Sequence, residues 1–154
     1  MIVDNQYRGG GLYAAAVPED DSCVDGLISF VRSTGLPYEE LLDNPFVDLM
    51  YSTKPPDKEL YKSFEVFDDI KIVGFDYYEG KDKSGYFVAN LKSGTLVTIH
   101  SMLKACGCFH KFQTFRPQIV ISNSRLSDEQ QEYVKTLDAS GQCFHLSHIL
   151  YESI

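Results

Sequence analysis

The pattern of hydrophobic and polar positions is most regular in two short segments that each begin with a proline, residues 45–52 (PFVDLMYS) and 117–122 (PQIVIS). Proline has no amide proton to donate to a β-ladder, so it favours the first position of a strand, and the side chains after it alternate between the two faces. The residues one and three positions after each proline therefore share a face. These are Phe46 and Asp48 in the first segment and Gln118 and Val120 in the second. If the two strands lie side by side about a pseudo-twofold axis, these four side chains meet in one cleft.

The first half of the chain adds a strand and a helix to this pattern. A short apolar run at 12–17, bounded by glycines and a proline, predicts a strand. Residues 22–35 predict a helix, because Ser22 and Asp25 have capping-box spacing and apolar residues recur at helical intervals up to a glycine. Residues 36–44 are predicted to form a connecting loop.

The second half adds strands and two more helices. Segments rich in aromatic and β-branched residues predict two or three antiparallel strands joined by a hairpin-type turn at 79–85. A helix follows, and later a second one that opens with the capping-box pair Ser127 and Gln130. The segments are 64–67, 70–77 and 86–91 for the strands, 96–107 and 127–137 for the helices, and 143–154 for a closing strand. This order is typical of an α+β fold with an approximate internal repeat.

Length and composition favour one globular domain over residues 1–154, built of two pseudo-symmetric halves. A chain of 154 residues with 44% hydrophobic residues can bury one sizeable core. The net charge of −8 works against binding to long nucleic acid, whose phosphates are contacted chiefly by Lys and Arg. No apolar run approaches the roughly 20 residues of a membrane span, and the first residues lack the apolar core of a signal peptide. We therefore expect a cytoplasmic protein with reduced cysteines that binds a small ligand and no membrane.

The order and spacing of several segments resemble those of the two-histidine (2H) phosphoesterases, in particular the phage anti-CBASS nucleases that cleave cyclic oligonucleotide alarm signals. The resemblance rests on GLYAA at 11–15, VDLMYSTKP at 47–55, FRPQIVIS at 115–122 and LYESI at 150–154. It spans most of the chain. It implies a two-lobed 2H phosphoesterase-like fold of the α+β class, with antiparallel sheets, a central cleft and helices on the outside.

The catalytic groups that this resemblance implies are missing. The family carries one His-x-Thr or His-x-Ser pair in each half, in which one imidazole is the general base, the other is the general acid, and the hydroxyls hold the phosphate. Here the pairs are Phe46 with Asp48, and Gln118 with Val120. A phenylalanine ring and a glutamine amide exchange no protons, and each lost group costs about 10²–10⁴-fold in rate, so we expect no catalysis. The carboxylate of Asp48 also repels a phosphate unless a cation neutralises it.

Several further residues are candidates for ligand binding, each with a simpler structural alternative. Tyr13 could stack on a base or could only pack in the core. Lys54 and Arg116 could contact phosphates or could simply be solvated. Ser52 and Ser122 stand at equivalent places, on the same faces as the motif positions, and could bind a ligand or cap a strand end. With the motif positions, the candidate ligand-binding residues are Tyr13, Phe46, Asp48, Ser52, Lys54, Arg116, Gln118 and Ser122.

The remaining histidines and cysteines do not form a convincing metal site. His145 begins a His-x-Ser sequence that has no partner pair in the chain. Cys106, Cys108 and His110, with Cys143 and His145 later, offer ligands that zinc accepts, but Cys-x-Cys-x-His is tighter than the usual spacing. We therefore expect neither a metal nor another cofactor.

Three functional hypotheses follow. The first is a catalytically inactive binding protein, a phage anti-defence protein that sequesters a cyclic oligonucleotide immune signal or a related nucleotide-type ligand. The second is an interaction or structural protein in which Phe46, Met50 and Val120 fill the old cleft. The third is a phosphodiesterase with relocated chemistry, in which Asp48 works with one of the histidines outside the motifs.

Overall fold

Seven antiparallel strands form one curled sheet in the computed structural model, which describes residues 11–56, 69–109, 115–138, 143–146 and 148–153. The described residues also form four α-helices and one 3-10 turn. The strands are β1 (Leu12–Val17), β2 (Val47–Ser52), β3 (Asp69–Glu79), β4 (Gly85–Lys92), β5 (Gln118–Ser122), β6 (Cys143–His145) and β7 (His148–Ser153). The helices are α1 (Asp25–Thr34), α2 (Glu39–Asp43), α3 (Gly94–Ala105) and α4 (Asp128–Val134), and the 3-10 turn spans Asp21–Val24. The α+β class is confirmed.

The two proline-led strands are neighbours at the centre of the sheet. The strand order is β6-β3-β4-β5-β2-β1-β7, so β2 and β5 lie side by side. They pair antiparallel at Val47 and Ile119, each of which stands two residues after its proline. Two antiparallel strands that meet at equivalent positions are related by a local twofold axis, so the predicted side-by-side arrangement is confirmed. The prediction of separate sheets is wrong, because this pairing joins the two halves into one sheet.

Both central strands contain a bulge at the same place. The register of β2 against β1 skips Leu49, and the register of β5 against β4 skips Ile121. Each of these residues stands four positions after its proline. An extra residue in one strand is a β-bulge, and it turns the side chains that follow it to the other face. The halves β1-α1-β2 and β4-α3-β5 therefore share element order, strand pairing and bulge position.

Helices α1 and α3 supply their buried residues to a single hydrophobic core together with one face of the sheet. The α1 helix buries Leu27, Ile28 and Val31, and the α3 helix buries Leu96, Ile99 and Leu103. The same core contains alternate residues of the central strands, among them Val47, Phe87 and Ile119, which are fully buried. We call the other side of the sheet, which carries Tyr13, Asp48, Asn90 and Gln118, the open face.

The predicted end of α1 and start of α4 are confirmed, but the capping box of Ser22 and Asp25 is wrong. Ser22 lies in the 3-10 turn capped by Asp20, and α1 begins at Asp25 without a side-chain cap. Gly35 ends α1 in the left-handed conformation with φ of 77°, where glycine avoids the cost of a Cβ. The capping box of Ser127 and Gln130 opens α4. The prediction of a plain loop at 36–44 is wrong, because α2 forms there with Glu39 in its first turn. Within the described ranges, no helix has the length and apolar character needed to cross a membrane.

The hairpin of β3 and β4 is confirmed, whereas the closing strand is two strands, β6 and β7, at opposite edges of the sheet. Two residues separate them in the chain, and three Cα–Cα steps reach about 11 Å at most. The sheet must therefore curl until its edges approach each other. The strand predicted at 64–67 lies outside the described residues.

Candidate functional site

The four side chains predicted to share a cleft lie together on the open face. The antiparallel pairing at the pseudo-twofold axis sets Asp48 opposite Gln118 and Phe46 opposite Val120. The residues between them in each strand are fully buried on the core face, so these four point the other way. Opposed side chains on adjacent strands have Cβ atoms about 5 Å apart. Asp48 is exposed, and the other three are partly exposed.

The carboxylate of Asp48 has a protein partner, Tyr13 of β1. The Tyr13 hydroxyl donates a hydrogen bond of 2.5 Å to Oδ1 of Asp48. Burial raises the pKa of the Tyr13 hydroxyl far above its ordinary value, and the hydrogen bond to Asp48 and the charges of Asp48 and Glu152 raise it further. The Tyr13 ring also lies 6.4 Å from the ring of Tyr51, centroid to centroid. Tyr13 is thus a proton donor to the motif carboxylate, a role that the sequence did not predict.

The amide of Gln118 belongs to a chain of hydrogen bonds across β5, β4 and β3. Its Nε2 donates to Oδ1 of Asn90 at 2.8 Å, and Nδ2 of Asn90 donates to Oδ2 of Asp76 at 2.6 Å. The hydroxyl of Tyr78 donates to Oε1 of Gln118 at 3.4 Å. A primary amide has two N–H donors and two acceptor lone pairs, so one of each on Gln118 is left for a ligand.

A stacked pair of tyrosines stands beside this chain of hydrogen bonds. The rings of Tyr78 and Tyr86 lie 5.3 Å apart with an interplanar angle of 24°. Burial raises the pKa of the Tyr78 hydroxyl, and the charges of Tyr86, Asp48 and Asp76 add to the effect. Tyr78 is 46% exposed, so part of its ring surface is open to a partner. The open face therefore combines aromatic surface, amide groups and carboxylates.

The two candidate serines are not on the open face. Ser52 is fully buried, where its hydroxyl donates to the carbonyl of Lys54 at 2.5 Å and accepts from the amide of Phe109 at 2.9 Å. Ser122 is also fully buried, and its hydroxyl donates to Oε1 of Glu39 at 2.6 Å. The prediction that both share a face with the motif positions is wrong, because the bulges at Leu49 and Ile121 turn the following residues to the core.

The same bulge places Met50 in the hydrophobic core, so it does not fill the cleft as one hypothesis required. The carbonyl of the bulged Leu49 lies 2.7 Å from Nδ1 of His100 on α3. The His100 ring stacks on Phe115 at 4.2 Å, and burial lowers the pKa of the imidazole. His100 therefore contacts the bulge of β2 from the core side of the sheet.

The two candidate cations differ in position. Arg116 is exposed, and alternation along the chain assigns it to the open face, because Gln118 two residues later lies there and the adjacent Phe115 packs against the core. Lys54 is exposed beyond the end of β2. In the described part of the chain, neither side chain has a hydrogen-bond or ion-pair partner.

A pocket of about 400 Å³ lies at the end of the open face near Phe46. Its apolar lining includes Val17, Pro45 and Leu150, and Leu42 stands at its edge with 57% of its surface exposed. Its polar lining is Glu19, Asp20, Asp43 and His148. The pocket therefore has a mixed lining of apolar and mostly acidic residues, and we call Glu19, Asp20 and Asp43 the acidic rim.

The candidate metal ligands are dispersed. Cys106 and Cys108 are buried in the core after α3, whereas Cys143 is exposed on β6. His110 lies outside the described residues. No three His, Cys, Asp or Glu residues cluster around a possible metal position in the ranges that the structure describes.

No protein-family model matches the chain.

Proposed function

We propose that this protein is a non-catalytic binding protein whose open face holds a nucleotide-type ligand. As the resemblance to phage anti-CBASS nucleases implies, the first ligand class to test is the cyclic oligonucleotide immune signal, and the biological role is sequestration of that signal by a 2H-like fold. The proposal concerns binding alone. Product release and turnover have no part in it.

The observation that carries the proposal is the juxtaposition of Asp48 and Gln118 across the pseudo-twofold axis. At this place the resemblance implies an acid, a base and two phosphate-holding hydroxyls. Asp48 accepts a hydrogen bond from the Tyr13 hydroxyl, and Gln118 neither takes nor gives a proton at any ordinary pH. A carboxylate acceptor beside an amide can hydrogen-bond the edge of a nucleobase, which presents both donors and acceptors.

The aromatic residues support the same class of ligand. Stacking of a base on an aromatic side chain contributes about 1–3 kcal/mol and tolerates any base. Tyr78 offers a partly exposed ring next to Gln118, and Tyr86 supports that ring from behind. The hydrogen bond from Tyr78 to Gln118 fixes the ring relative to the amide.

The experiment mixes purified protein with cyclic dinucleotides, cyclic trinucleotides and cyclic ADP-ribose, and measures thermal stabilisation. Samples that show a shift are then heat-denatured, and the released ligand is identified by chromatography. We expect a shift with one ligand class and recovery of that ligand intact. The absence of a shift with every compound overturns the proposal, and recovery of a cleaved ligand overturns its non-catalytic part.

The relocated-enzyme alternative has one testable pair in the described residues. His148 pairs with Val17 and Asp48 pairs with Ala15, so His148 and Asp48 are two strands and two residues apart, on the order of 10 Å. This separation is too long for direct proton exchange, although a substrate could bridge it. Cleavage of a cyclic nucleotide that Asp48→Asn abolishes is the result that would favour this alternative.

A protein partner is a second candidate, favoured by the pocket with the acidic rim. A partly apolar cavity bounded by Glu19, Asp20 and Asp43 fits a long basic side chain, whose methylene stem contacts apolar surface while its charged end meets carboxylates. We expect a basic peptide to perturb the amide resonances of Leu42 and Phe46. If it perturbs none of them, this second candidate is wrong.

A further inference from the structure

Two lysines face each other on the open side of the sheet. Lys71 of β3 pairs directly with Lys92 of β4. Their neighbours Ile70, Ile72 and Leu91 are buried in the core, so both lysines point to the open face, and both are exposed. Opposed residues of adjacent strands have Cβ atoms about 5 Å apart, so the two lysine side chains start from neighbouring points on this face.

Arg116 extends this pair to a third strand. β4 and β5 pair at Asn90 and Gln118, and the ladder continues with a 3.0 Å hydrogen bond from the amide of Leu91 to the carbonyl of Pro117. Continued by two residues, this register brings Arg116, which precedes β5, opposite Lys92. We call Lys71, Lys92 and Arg116 the basic row.

The residues that the structure describes do not neutralise the charges of the basic row. None of the three side chains has an ion pair or hydrogen bond to any residue that the structure describes. Like charges opposite each other on adjacent strands destabilise a sheet. Edge strands often carry lysines that prevent unwanted pairing, but this explanation does not apply, because β6 pairs with β3 at Lys71 and β5 covers β4.

The amide side chains next to the basic row favour a nucleotide phosphate as the bound anion. Asn90 and Gln118 stand two residues from Lys92 and Arg116 on the same face, about 7 Å along the strands. A nucleotide phosphate and its base are separated by a similar distance. Arg116 offers a planar fork of N–H groups suited to a phosphate, and the two lysines add mobile point charges.

We propose that the basic row binds the phosphate groups of a phosphorylated ligand whose base meets the Asn90 and Gln118 amides. This inference rests on the proposed function for the base, whereas the phosphate contact can be tested alone. The Asp48 carboxylate would repel a phosphate bound beside it. In this arrangement Asp48 faces the base instead, and the phosphate lies at the basic end of the open face.

The experiment measures binding of inorganic pyrophosphate and of a cyclic diadenylate by calorimetry at low and high salt. The variants are Lys71→Gln, Lys92→Gln and Arg116→Gln. The matched control is Lys81→Gln, which removes the same charge from an exposed lysine in the turn between β3 and β4. We expect each row variant to bind pyrophosphate about tenfold more weakly, as loss of a charge-assisted hydrogen bond predicts, and the control to bind as the natural protein does.

Each outcome decides a different part. If the row variants weaken pyrophosphate binding but cyclic diadenylate binds no more tightly than pyrophosphate, the phosphate site is confirmed and the proposed base contact is wrong. If the row variants and the control variant bind pyrophosphate equally, the proposed phosphate site is wrong even when the nucleotide binds. If pyrophosphate does not bind at all, the row is also wrong. Circular dichroism and the melting temperature confirm folding, and Lys92→Arg should retain binding if charge is the cause.

Discussion

The hydroxyl of Tyr13 and the carboxylate of Asp48 are joined by a 2.5 Å hydrogen bond between β1 and β2. We predict that Tyr13→Phe lowers the free energy of unfolding by about 1 kcal/mol at neutral pH, a modest value because the pair is partly exposed. Chemical denaturation measures the change. The matched control is Tyr51→Phe, because the 60% exposed Tyr51 has no hydroxyl partner in the described ranges.

The pH dependence of the same pair has a definite sign. Folding raises the pKa of the Tyr13 hydroxyl above its ordinary value of 10.0, so the folded protein keeps a proton that the unfolded chain releases. The stabilisation by Tyr13 is therefore complete below pH 10 and is lost as the pH rises further. We expect the deficit of Tyr13→Phe to shrink above that pH. A deficit that stays constant into the alkaline range would contradict this assignment.

Ser122 should contribute to stability and not to ligand binding. Burial opposes ionisation of Glu39, but hydrogen bonds from the Ser122 hydroxyl, the Asn123 amide and the Ser124 hydroxyl outweigh it and keep the pKa of Glu39 low. We predict that Ser122→Ala costs about 1 kcal/mol in denaturation and leaves ligand affinity unchanged.

A double-mutant cycle with Glu39→Gln provides the control for this contact, because the two effects should not add. A carboxylate with a lowered pKa stabilises the fold above its unfolded pKa, and that contribution is lost as the pH falls through the folded pKa. Glu39→Gln should therefore reduce the loss of stability in acid. Weaker ligand binding by Ser122→Ala would restore Ser122 as a site residue.

His100 should make the fold sensitive to mild acid. Burial lowers the pKa of its imidazole, and the charge of Lys104 adds to this, although the bond to the Leu49 carbonyl opposes it. The stabilisation by neutral His100 is complete above the ordinary value of 6.5 and is lost as the pH falls towards the folded pKa. We predict that His100→Gln has a smaller pH dependence of unfolding in this range. His145→Gln, at an exposed strand position, is the control, and equal slopes in both variants would refute the prediction.

Repulsion within the basic row predicts a gain of stability on substitution. Without ligand, Lys92→Gln should raise the free energy of unfolding by a few tenths of a kcal/mol, since it removes a like charge opposite Lys71. Salt screens exposed charges, so the gain should fall at high ionic strength. Lys81→Gln controls for net charge. A loss of stability that is specific to Lys92→Gln would show that the lysine packs favourably.

Period-two alternation predicted the faces of Phe46, Asp48 and Gln118 correctly, because these residues precede the bulges. It failed for Ser52 and Ser122, because one extra residue reverses the alternation. The sequence carries a weak signal of the first bulge, since Leu49 and Met50 are adjacent apolar residues in an otherwise alternating strand. The edge placement of β6 and β7 had no such signal, because it depends on the curl of the whole sheet.

The sequence identified Arg116 as a candidate phosphate contact but not its grouping with two lysines in the basic row, for a different reason. Lys71, Lys92 and Arg116 are far apart in the chain, and their proximity depends on the registers of two strand pairs. Register follows from how side chains pack between strands and from turn geometry, which spacing in the sequence does not reveal. Local patterns therefore predicted the elements and the central pair of strands, but not the distribution of charge across them.

The two halves of the open face are alike in backbone and unlike in charge. Glu19 follows Ala15 by the same number of residues as Lys92 follows Val88, and Ala15 and Val88 pair with equivalent positions of β2 and β5. Glu19 of the acidic rim and Lys92 of the basic row are thus counterparts under the pseudo-twofold axis, and they carry opposite charges. A molecule with twofold symmetry, such as cyclic diadenylate, presents a phosphate to both places and is matched in charge only at the basic row. A molecule with an anionic end and a cationic end matches both charges, and it can therefore lie on the sheet in a single direction.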